Sequence, residues 1–167
     1  MILIGLGGNL PSPEFGSPAD VIRAALECLA LSGVRVVECS PLYRTEPVPV
    51  SQQPWFVNGV AQLDTSLAPQ ALLALLHRVE ARMGRVREEK WAARVIDLDL
   101  LAHGELVCAG AEGNGLVLPH PRMAERAFVL APLTDMAPGW RHPIMAKTAR
   151  EMLAALGPGQ KTVKMAD

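Results

Sequence analysis

The chain is poor in the residues that nucleic-acid-binding proteins use. Its 167 residues include one Tyr, three Trp and three Phe, which is too few for the aromatic platforms on which single-stranded nucleic acids stack. The formal net charge is −1, so the chain has no overall positive field to attract DNA or RNA. We therefore expect no nucleic-acid partner.

Cysteines and long apolar runs are scarce as well. Cys28, Cys39 and Cys108 are odd in number and far apart, which is typical of free thiols in a reducing compartment and not of a disulfide frame or a zinc site. No apolar run reaches the length of about 18 residues that a transmembrane helix needs. The segment after Met1 is too short, and lacks the basic flank, for a signal peptide. These features predict a cytoplasmic protein without a membrane partner.

The most recognisable nucleotide-binding motifs are also missing. No GxxxxGK[ST] sequence occurs, so any nucleotide must be held without a P-loop. The turn around Gly7 is not a dinucleotide fingerprint, because Leu10 stands where the third glycine is expected.

What is present predicts one domain, residues 1–167, of ordinary globular composition. Half of the residues are hydrophobic and a fifth are charged. Apolar runs predict strands over 2–7, over 34–39 with a continuation towards Tyr43, and over 55–63, and a strand containing Asp97 and Asp99. Ser17 and Thr65–Ser66 are expected to cap two helices that end at Gly33 and Gly84.

The resulting order, β-α-β-β-α-β, is that of an α+β ferredoxin-like fold. Helices should cover one face of an antiparallel sheet and leave the other face free for ligands. A short strand near 105–107, a helix from about Arg126 and a helix over 145–156, with Thr148–Glu151 as a capping box, complete the prediction. Residues 157–167 are polar and are expected to be a frayed tail.

The segment Gly84–Leu101 contains the most unusual charge pattern. Alternation along a strand projects Asp97 and Asp99 from one face, roughly 6.5–7 Å apart, with Leu98 on the other. Carboxylates on a buried strand are costly unless something positive satisfies them. The nearby arginines could do so in a structural cluster. Alternatively, the two carboxylates could hold Mg²⁺ in a metal–polyphosphate site.

Three further polar residues permit two interpretations each. Asn58 could be a hydrogen-bonded edge residue, or it could recognise a flat polar ring stacked on Phe56. Glu80 could pair with an arginine or contact a ligand. His77 by itself is more typical of a surface position.

A set of short motifs occurs in one order along the chain: Gly7-Gly8-Asn9, Ser40-Pro41-Leu42-Tyr43-Arg44-Thr45, Phe56-x-Asn58, Glu80 with Gly84-Arg85-Val86-Arg87, Trp91, Arg94-x-x-Asp97-Leu98-Asp99, and Leu118-Pro119-His120-Pro121-Arg122. This set resembles the 6-hydroxymethyl-7,8-dihydropterin pyrophosphokinases of folate biosynthesis, over residues 1–156. The ordered set is specific, although Asp-x-Asp alone also occurs in sugar-nucleotide transferases. Gly8 departs from the serine of many members, and Phe56 from a frequent tyrosine.

The resemblance implies a reaction in which the terminal diphosphate of ATP passes to the pterin hydroxymethyl group and AMP leaves. Asp97 and Asp99 would bind two Mg²⁺ ions that bridge the phosphates and the attacking hydroxyl. Arg85, Arg87 and Arg94 would be phosphate-binding, catalytic arginines on a mobile loop.

The resemblance also assigns the two substrate subsites. The pterin would contact Thr45, Val48, Phe56, Asn58, Trp91 and Phe128. ATP would contact the three arginines together with His77, Glu80, Leu100, His120 and Arg126. The expected partners are these small molecules, and the expected assembly is a monomer or weak homodimer. The alternatives are another metal-dependent nucleotide-sugar transferase and a ligand-sensing domain in which the aspartates form structural ion pairs.

Overall fold

A computed structural model describes residues 1–85, 92–110 and 115–166 of the chain. The eight strands assigned in these ranges are β1 (Ile2–Gly8), β2 (Arg35–Cys39), β3 (Tyr43–Thr45), β4 (Phe56–Asp64), β5 (Asp97–His103), β6 (Cys108–Ala109), β7 (Val117–Leu118) and β8 (Thr162–Lys164). The helices are α1 (Pro18–Leu31), α2 (Pro69–Arg82), α3 (Ala127–Met136) and α4 (Ala149–Ala155), with a 3₁₀ turn at Met123–Glu125.

The main sheet is antiparallel and has the order β5-β1-β4-β3-β8, with β2 also pairing with β4. Strand β1 is therefore central, between the strand that bears the two aspartates and the strand that bears Asn58. Gly7 is the register partner of Asp97 on one side and of Asn58 on the other. The predicted α+β fold with a ferredoxin-like core is confirmed.

Helices α1 and α2 cover one face of the sheet, as predicted. Helix α1 starts with a capping box, in which Ser17 accepts from the backbone of Asp20 and the Asp20 side chain accepts from the backbone of Ser17. Helix α2 starts later than expected, with Ala68 and not Thr65 or Ser66 at its N-cap. The core on this face contains the following side chains: Ile4, Leu6, Ile22, Leu29, Leu72, Leu76, Ile96, Leu98 and Leu100.

Helices α3 and α4 cover much of the opposite face, so the expectation that this face stays free for ligands is wrong for that part of the sheet. Leu3, Val60 and Leu101 pack there in one core cluster with the following helix residues: Val129, Leu130, Leu133 and Met152. The physical reason is that these strands carry apolar side chains on both faces, and both faces need cover. Thr148 and Glu151 form the predicted capping box of α4.

The expected frayed tail over 157–167 is also wrong where β8 forms. Thr162 pairs with Thr45 and Lys164 with Tyr43, because the short strand β3 offers unpaired backbone groups at the edge of the sheet. The Lys164 ammonium and the Tyr43 hydroxyl both donate to Asp135 Oδ2 of α3, each at 2.8 Å. The terminal segment is therefore joined to the sheet and to α3.

Two smaller details differ from the sequence prediction. The strand expected near 105–107 lies at Cys108–Ala109, where it pairs with β7. Strand β2 does not continue to Tyr43, since β3 is a separate strand.

Among the residues described, no helix combines the length and apolar character needed to cross a bilayer.

Leucines on the two faces of the sheet provide a test of this arrangement. Leu76 of α2 and Leu130 of α3 are both 0 % exposed, whereas Leu31 of α1 is 90 % exposed. We expect Leu76→Ala and Leu130→Ala each to lower the free energy of unfolding by about 2–5 kcal/mol, because each leaves a cavity. Leu31→Ala is the matched control and should change it by less than about 0.5 kcal/mol. Urea unfolding monitored by circular dichroism measures these values. If Leu130→Ala left the free energy of unfolding unchanged, it would contradict the packing of α3 on this face of the sheet.

Candidate active site

The floor of the site includes Gly7 of β1, which pairs with Asp97 on one side and with Asn58 on the other and lines the main cavity. A Cβ atom on Gly7 would lie 2.5 Å from Asn58 Oδ1, a distance that real Cβ atoms do not reach. The absence of a side chain at Gly7 therefore lets the Asn58 amide lie against β1.

A cavity of about 570 Å³ opens above this floor. It brings together twelve of the residues that the sequence assigned to the site: Thr45, Val48, Phe56, Asn58, His77, Glu80, Arg85, Arg94, Asp97, Asp99, Arg126 and Phe128. Leu100 and His120 border a neighbouring cavity of about 660 Å³, which His77 and Asp99 also line. The remaining two, Arg87 and Trp91, lie outside the described residues.

Asp97 is paired with two arginines at once. Arg85 Nη1 donates to Asp97 Oδ1 at 2.6 Å, and Arg94 Nη1 donates to Asp97 Oδ2 at 2.7 Å. Burial raises the pKa of Asp97, and the charge of Asp99 raises it further, so the pKa lies above its usual value despite both arginines. The two aspartates therefore repel each other in a partly desolvated place, which is a setting that favours additional positive charge.

Glu80 supports this pair from α2. Its side chain is 2 % exposed, and its Oε1 accepts from the backbone N–H of Leu98 at 2.7 Å and from Arg85 Nη1. Burial alone would lower the pKa of Arg85, but the charges of Asp97 and Glu80 outweigh it and raise that pKa. Glu80 thus pairs with an arginine, one of its two possible roles, while bordering the cavity.

Asp99 is paired with a residue from the opposite wall. Arg126 Nη1 donates to Asp99 Oδ2 at 3.2 Å, and the Arg126 guanidinium lies over the Phe128 ring at 5.4 Å from its centroid. Burial lowers the pKa of His120 more than the nearby Asp99 raises it. A neutral imidazole is therefore favoured beside the second cavity.

The other end of the main cavity combines aromatic and polar groups. Phe56 and Phe128 are half-buried and line the cavity from β4 and α3. Asn58 is buried, and its Nδ2 donates to Thr45 Oγ1 at 2.7 Å. Two phenylalanine rings and an oriented amide that line one cavity suit a flat heterocycle with polar edges.

Asn9 is a positioning residue that the sequence analysis did not assign to the site. Its Oδ1 accepts from the Arg94 N–H at 2.8 Å, and its Nδ2 donates to Pro54 O at 3.0 Å and Gln53 Oε1 at 3.3 Å. Asn9 therefore joins the end of β1 to the segments before β4 and β5. The Gly7-Gly8-Asn9 motif was the available signal. Gly8 allows this approach, since a Cβ atom there would lie 2.3 Å from Val95 O.

Gln53 and Arg122 also line the main cavity without having been assigned to it. Gln53 stands in the proline-rich segment before β4, where the residue types do not indicate which side chains face a ligand. Arg122 was part of the Leu118–Arg122 motif, so a signal for it existed.

The donor set at Asp97 and Asp99 fits Mg²⁺. Magnesium binds carboxylate oxygens, keeps several waters and shares phosphate oxygens with a substrate. Both carboxylates belong to one face of β5 and line the same cavity. Within the described ranges, no cluster of three or more His, Cys, Asp or Glu side chains has metal-binding geometry. A Mg²⁺ ion that shares substrate phosphates usually takes only one or two carboxylates from the protein.

Comparison with known proteins agrees with this geometry. The family model of 7,8-dihydro-6-hydroxymethylpterin-pyrophosphokinase matches residues 3–138. A 2-amino-4-hydroxy-6-hydroxymethyldihydropteridine pyrophosphokinase of Methylorubrum extorquens is 44% identical over 156 residues, covering 93% of this chain and 92% of the relative. The enzyme of that name from Pseudomonas aeruginosa is 43% identical over 155 residues, covering 92% and 90%.

Solved structures agree in fold. The wild-type HPPK-DHPS of Plasmodium falciparum with pteroate has a TM-score of 0.69 and 12% identity, and the match covers 92% of this chain. This chain spans 44% of the length of that protein, so the likeness shows the fold alone. From the sequence matches, the chain belongs to the 7,8-dihydro-6-hydroxymethylpterin-pyrophosphokinase family, and its activity is that of a pyrophosphokinase of folate biosynthesis.

Proposed function

We propose that this chain transfers the diphosphate of ATP to the hydroxymethyl group of 6-hydroxymethyl-7,8-dihydropterin in a Mg²⁺-dependent reaction that releases AMP. The observation that carries the proposal is one cavity in which the carboxylates of Asp97 and Asp99, four arginines and two phenylalanine rings meet. The carboxylates and arginines suit a metal-bound polyphosphate, and the rings suit a flat acceptor.

The pterin would lie between Phe56 and Phe128. Asn58 is fixed by Thr45, so its amide has one orientation before the substrate arrives, which lowers the ordering cost of binding. The glycine floor beside Asn58 would let the ring approach the sheet closely. Val48 and Trp91 would complete this subsite.

The arginines would change partners when ATP binds. Arg85 and Arg94 each contact one oxygen of Asp97, and Arg126 is paired with Asp99. Guanidinium groups bind phosphate oxygens as well as carboxylates. A triphosphate would therefore draw these arginines to itself, together with Arg87, and leave the aspartate oxygens available to Mg²⁺.

Asp97 and Asp99 would hold the metal, with two ions expected. Mg²⁺ supplies charge neutralisation on the phosphate oxygens and orients the attacking and leaving groups. His77, Glu80, Leu100 and His120 would surround the nucleotide. Glu80 would also keep Arg85 aligned, because its Oε1 contacts both Arg85 and the backbone of Leu98.

We further propose a cytoplasmic monomer or weak homodimer with small-molecule partners. The three cysteines of the chain are free thiols, as is typical of proteins in a reducing compartment.

The central test compares Asp97→Asn and Asp99→Asn with the unchanged protein. With ATP, Mg²⁺ and the reduced hydroxymethylpterin, we expect the unchanged protein to form AMP and the pterin diphosphate, as seen by separating the nucleotides. Each variant should fall below about one hundredth of that rate, because a metal-binding carboxylate is neutralised. Asp64→Asn, an exposed aspartate paired with Arg35, is the control. Formation of ADP, or a near-normal rate in either variant, would contradict the proposal.

A second test separates chemistry from nucleotide binding. We expect Arg94→Ala to lower kcat by about a hundredfold while changing the ATP dissociation constant by less than about fivefold. The reason is that Arg94, on the expected mobile loop, should act mainly when that loop has closed over the bound substrates. Rapid-quench kinetics and titration calorimetry measure the two quantities. Arg35→Ala, at an exposed ion pair, should change neither. Equal losses in ATP affinity and in kcat/KM would show that Arg94 stabilises bound ATP and the transition state equally.

A third test concerns the glycine floor. Gly7→Ala should displace Asn58, since the added Cβ would lie 2.5 Å from Asn58 Oδ1. We expect KM for the pterin to rise by about tenfold or more, with a smaller change in KM for ATP. Gly139→Ala is the matched control, because a Cβ there has no atom within 4 Å. Equal effects on both substrates would argue against a pterin subsite at Asn58.

A further inference from the structure

Gln160 makes two hydrogen bonds to the backbone on either side of Arg126. Its Oε1 accepts from the N–H of Ala127 at 2.9 Å, and its Nε2 donates to the carbonyl of Glu125 at 2.8 Å. Gln160 lies in the segment before β8, more than thirty residues from Arg126 along the chain. One side-chain amide therefore fixes both peptide groups that flank Arg126.

The local chain holds the N–H and the carbonyl of Arg126 itself, which bond to Met123 O at 3.3 Å and to the N–H groups of Val129 and Leu130 at 3.0 Å, but it offers no side-chain cap to the peptide group that follows. Arg126 is the N-cap of α3, has extended backbone angles of φ −118° and ψ 104°, and makes no side-chain capping hydrogen bond. The first N–H groups of a helix need an outside acceptor, and Gln160 Oε1 provides one for Ala127. Glu125 is the last residue of the preceding 3₁₀ turn, so Gln160 joins the end of one element to the start of the next.

The direction of the Arg126 side chain depends on this junction. Its guanidinium reaches Asp99 Oδ2 at 3.2 Å while lying over Phe128. A rotation of the Arg126 backbone would move the guanidinium away from Asp99 and would also turn the start of α3, which carries Phe128. The junction thus controls groups on both the nucleotide side and the pterin side of the cavity.

Gln160 is itself held in place. The carbonyl of Lys161 accepts from the N–H of Glu46 at 3.2 Å, and the N–H of Met165 donates to the carbonyl of Leu42 at 2.9 Å. Between these two contacts, β8 pairs with β3. The segment is therefore anchored to the strand that carries Thr45, and Gln160 extends from this anchor to α3.

We propose that Gln160 is a positioning residue for the reaction, and that it acts by fixing the backbone of Arg126 so that the guanidinium is directed at the substrate phosphates beside Asp99. The proposal rests on the proposed function, in which Arg126 binds ATP. It assigns a role in the active site to the C-terminal segment, of which the described residues 157–166 line neither cavity.

The test is a double-mutant cycle between Gln160 and Arg126. We expect Gln160→Ala to lower kcat/KM for ATP by about tenfold, because two hydrogen bonds to the junction are lost. In the Arg126→Ala background, Gln160→Ala should lower it by less than about twofold, since the side chain that it positions is gone. Gln160→Glu keeps the acceptor for Ala127 but loses the donor to Glu125, and should give an intermediate loss.

Lys164→Ala is the matched control. It removes the contact of the same terminal segment with Asp135 without touching the junction, and should change kcat/KM for ATP by less than about twofold. The proposal would be overturned if Gln160→Ala lowered kcat/KM by the same factor in the Arg126→Ala background as in the unchanged protein. It would also be overturned if Lys164→Ala gave the same loss as Gln160→Ala. Either result would show that Gln160 has a merely structural role.

A readout without turnover separates this proposal from the proposed function. In the ligand-free protein, the side-chain Nε–Hε signal of Arg126 in NMR spectra should shift in Gln160→Ala and stay unchanged in Lys164→Ala. An unchanged signal in Gln160→Ala would overturn the proposal. If the signal shifts but the unchanged protein forms no AMP from ATP and the pterin, the positioning of Arg126 stands and the proposed function fails.

Discussion

The site depends on the pairing of Asp97 with Arg85 and Arg94. A carboxylate in a partly desolvated place is costly unless cations meet it, and here each oxygen has its own guanidinium. Glu80 is still more buried and shares Arg85. Because removal of one member would leave the others uncompensated, these four residues form one electrostatic unit that fixes the start of β5 against α2.

This unit also couples Arg85 to Arg94, because both contact Asp97. Arg85 and Arg94 stand on either side of residues 86–93 in the sequence, and both contact the same carboxylate. An anion that draws the guanidinium of Arg85 away from Asp97 would leave more of the Asp97 charge to Arg94, and the reverse also holds. Binding of a polyphosphate would therefore act on both ends of the segment together.

Much of the fold followed from local patterns, whereas most of the site residues were assigned through the family resemblance. Alternation correctly separated Asp97 and Asp99 from Leu98, because a strand between two packed layers must sort its side chains by face. The capping boxes at Ser17 and Thr148 follow from short-range hydrogen bonding. The second helical layer was not predicted, although the apolar residues of both sheet faces required it. Strand β8 was missed because its pairing depends on a free edge at β3, which only the assembled sheet reveals.

The residues that support the site are harder to predict than those that line it, for a physical reason. An aspartate in an apolar strand indicates its chemistry by its type, as Asp99 does, whereas Arg126 was assigned only through the family resemblance. Asn9 and Gln160 are common polar residues whose roles arise from backbone groups brought close by the fold. Their amides carry both a donor and an acceptor, so each can join two segments that a charged group could not join without a counter-charge. The backbone around Arg94 and Arg126 is thus contacted by neutral residues distant in sequence.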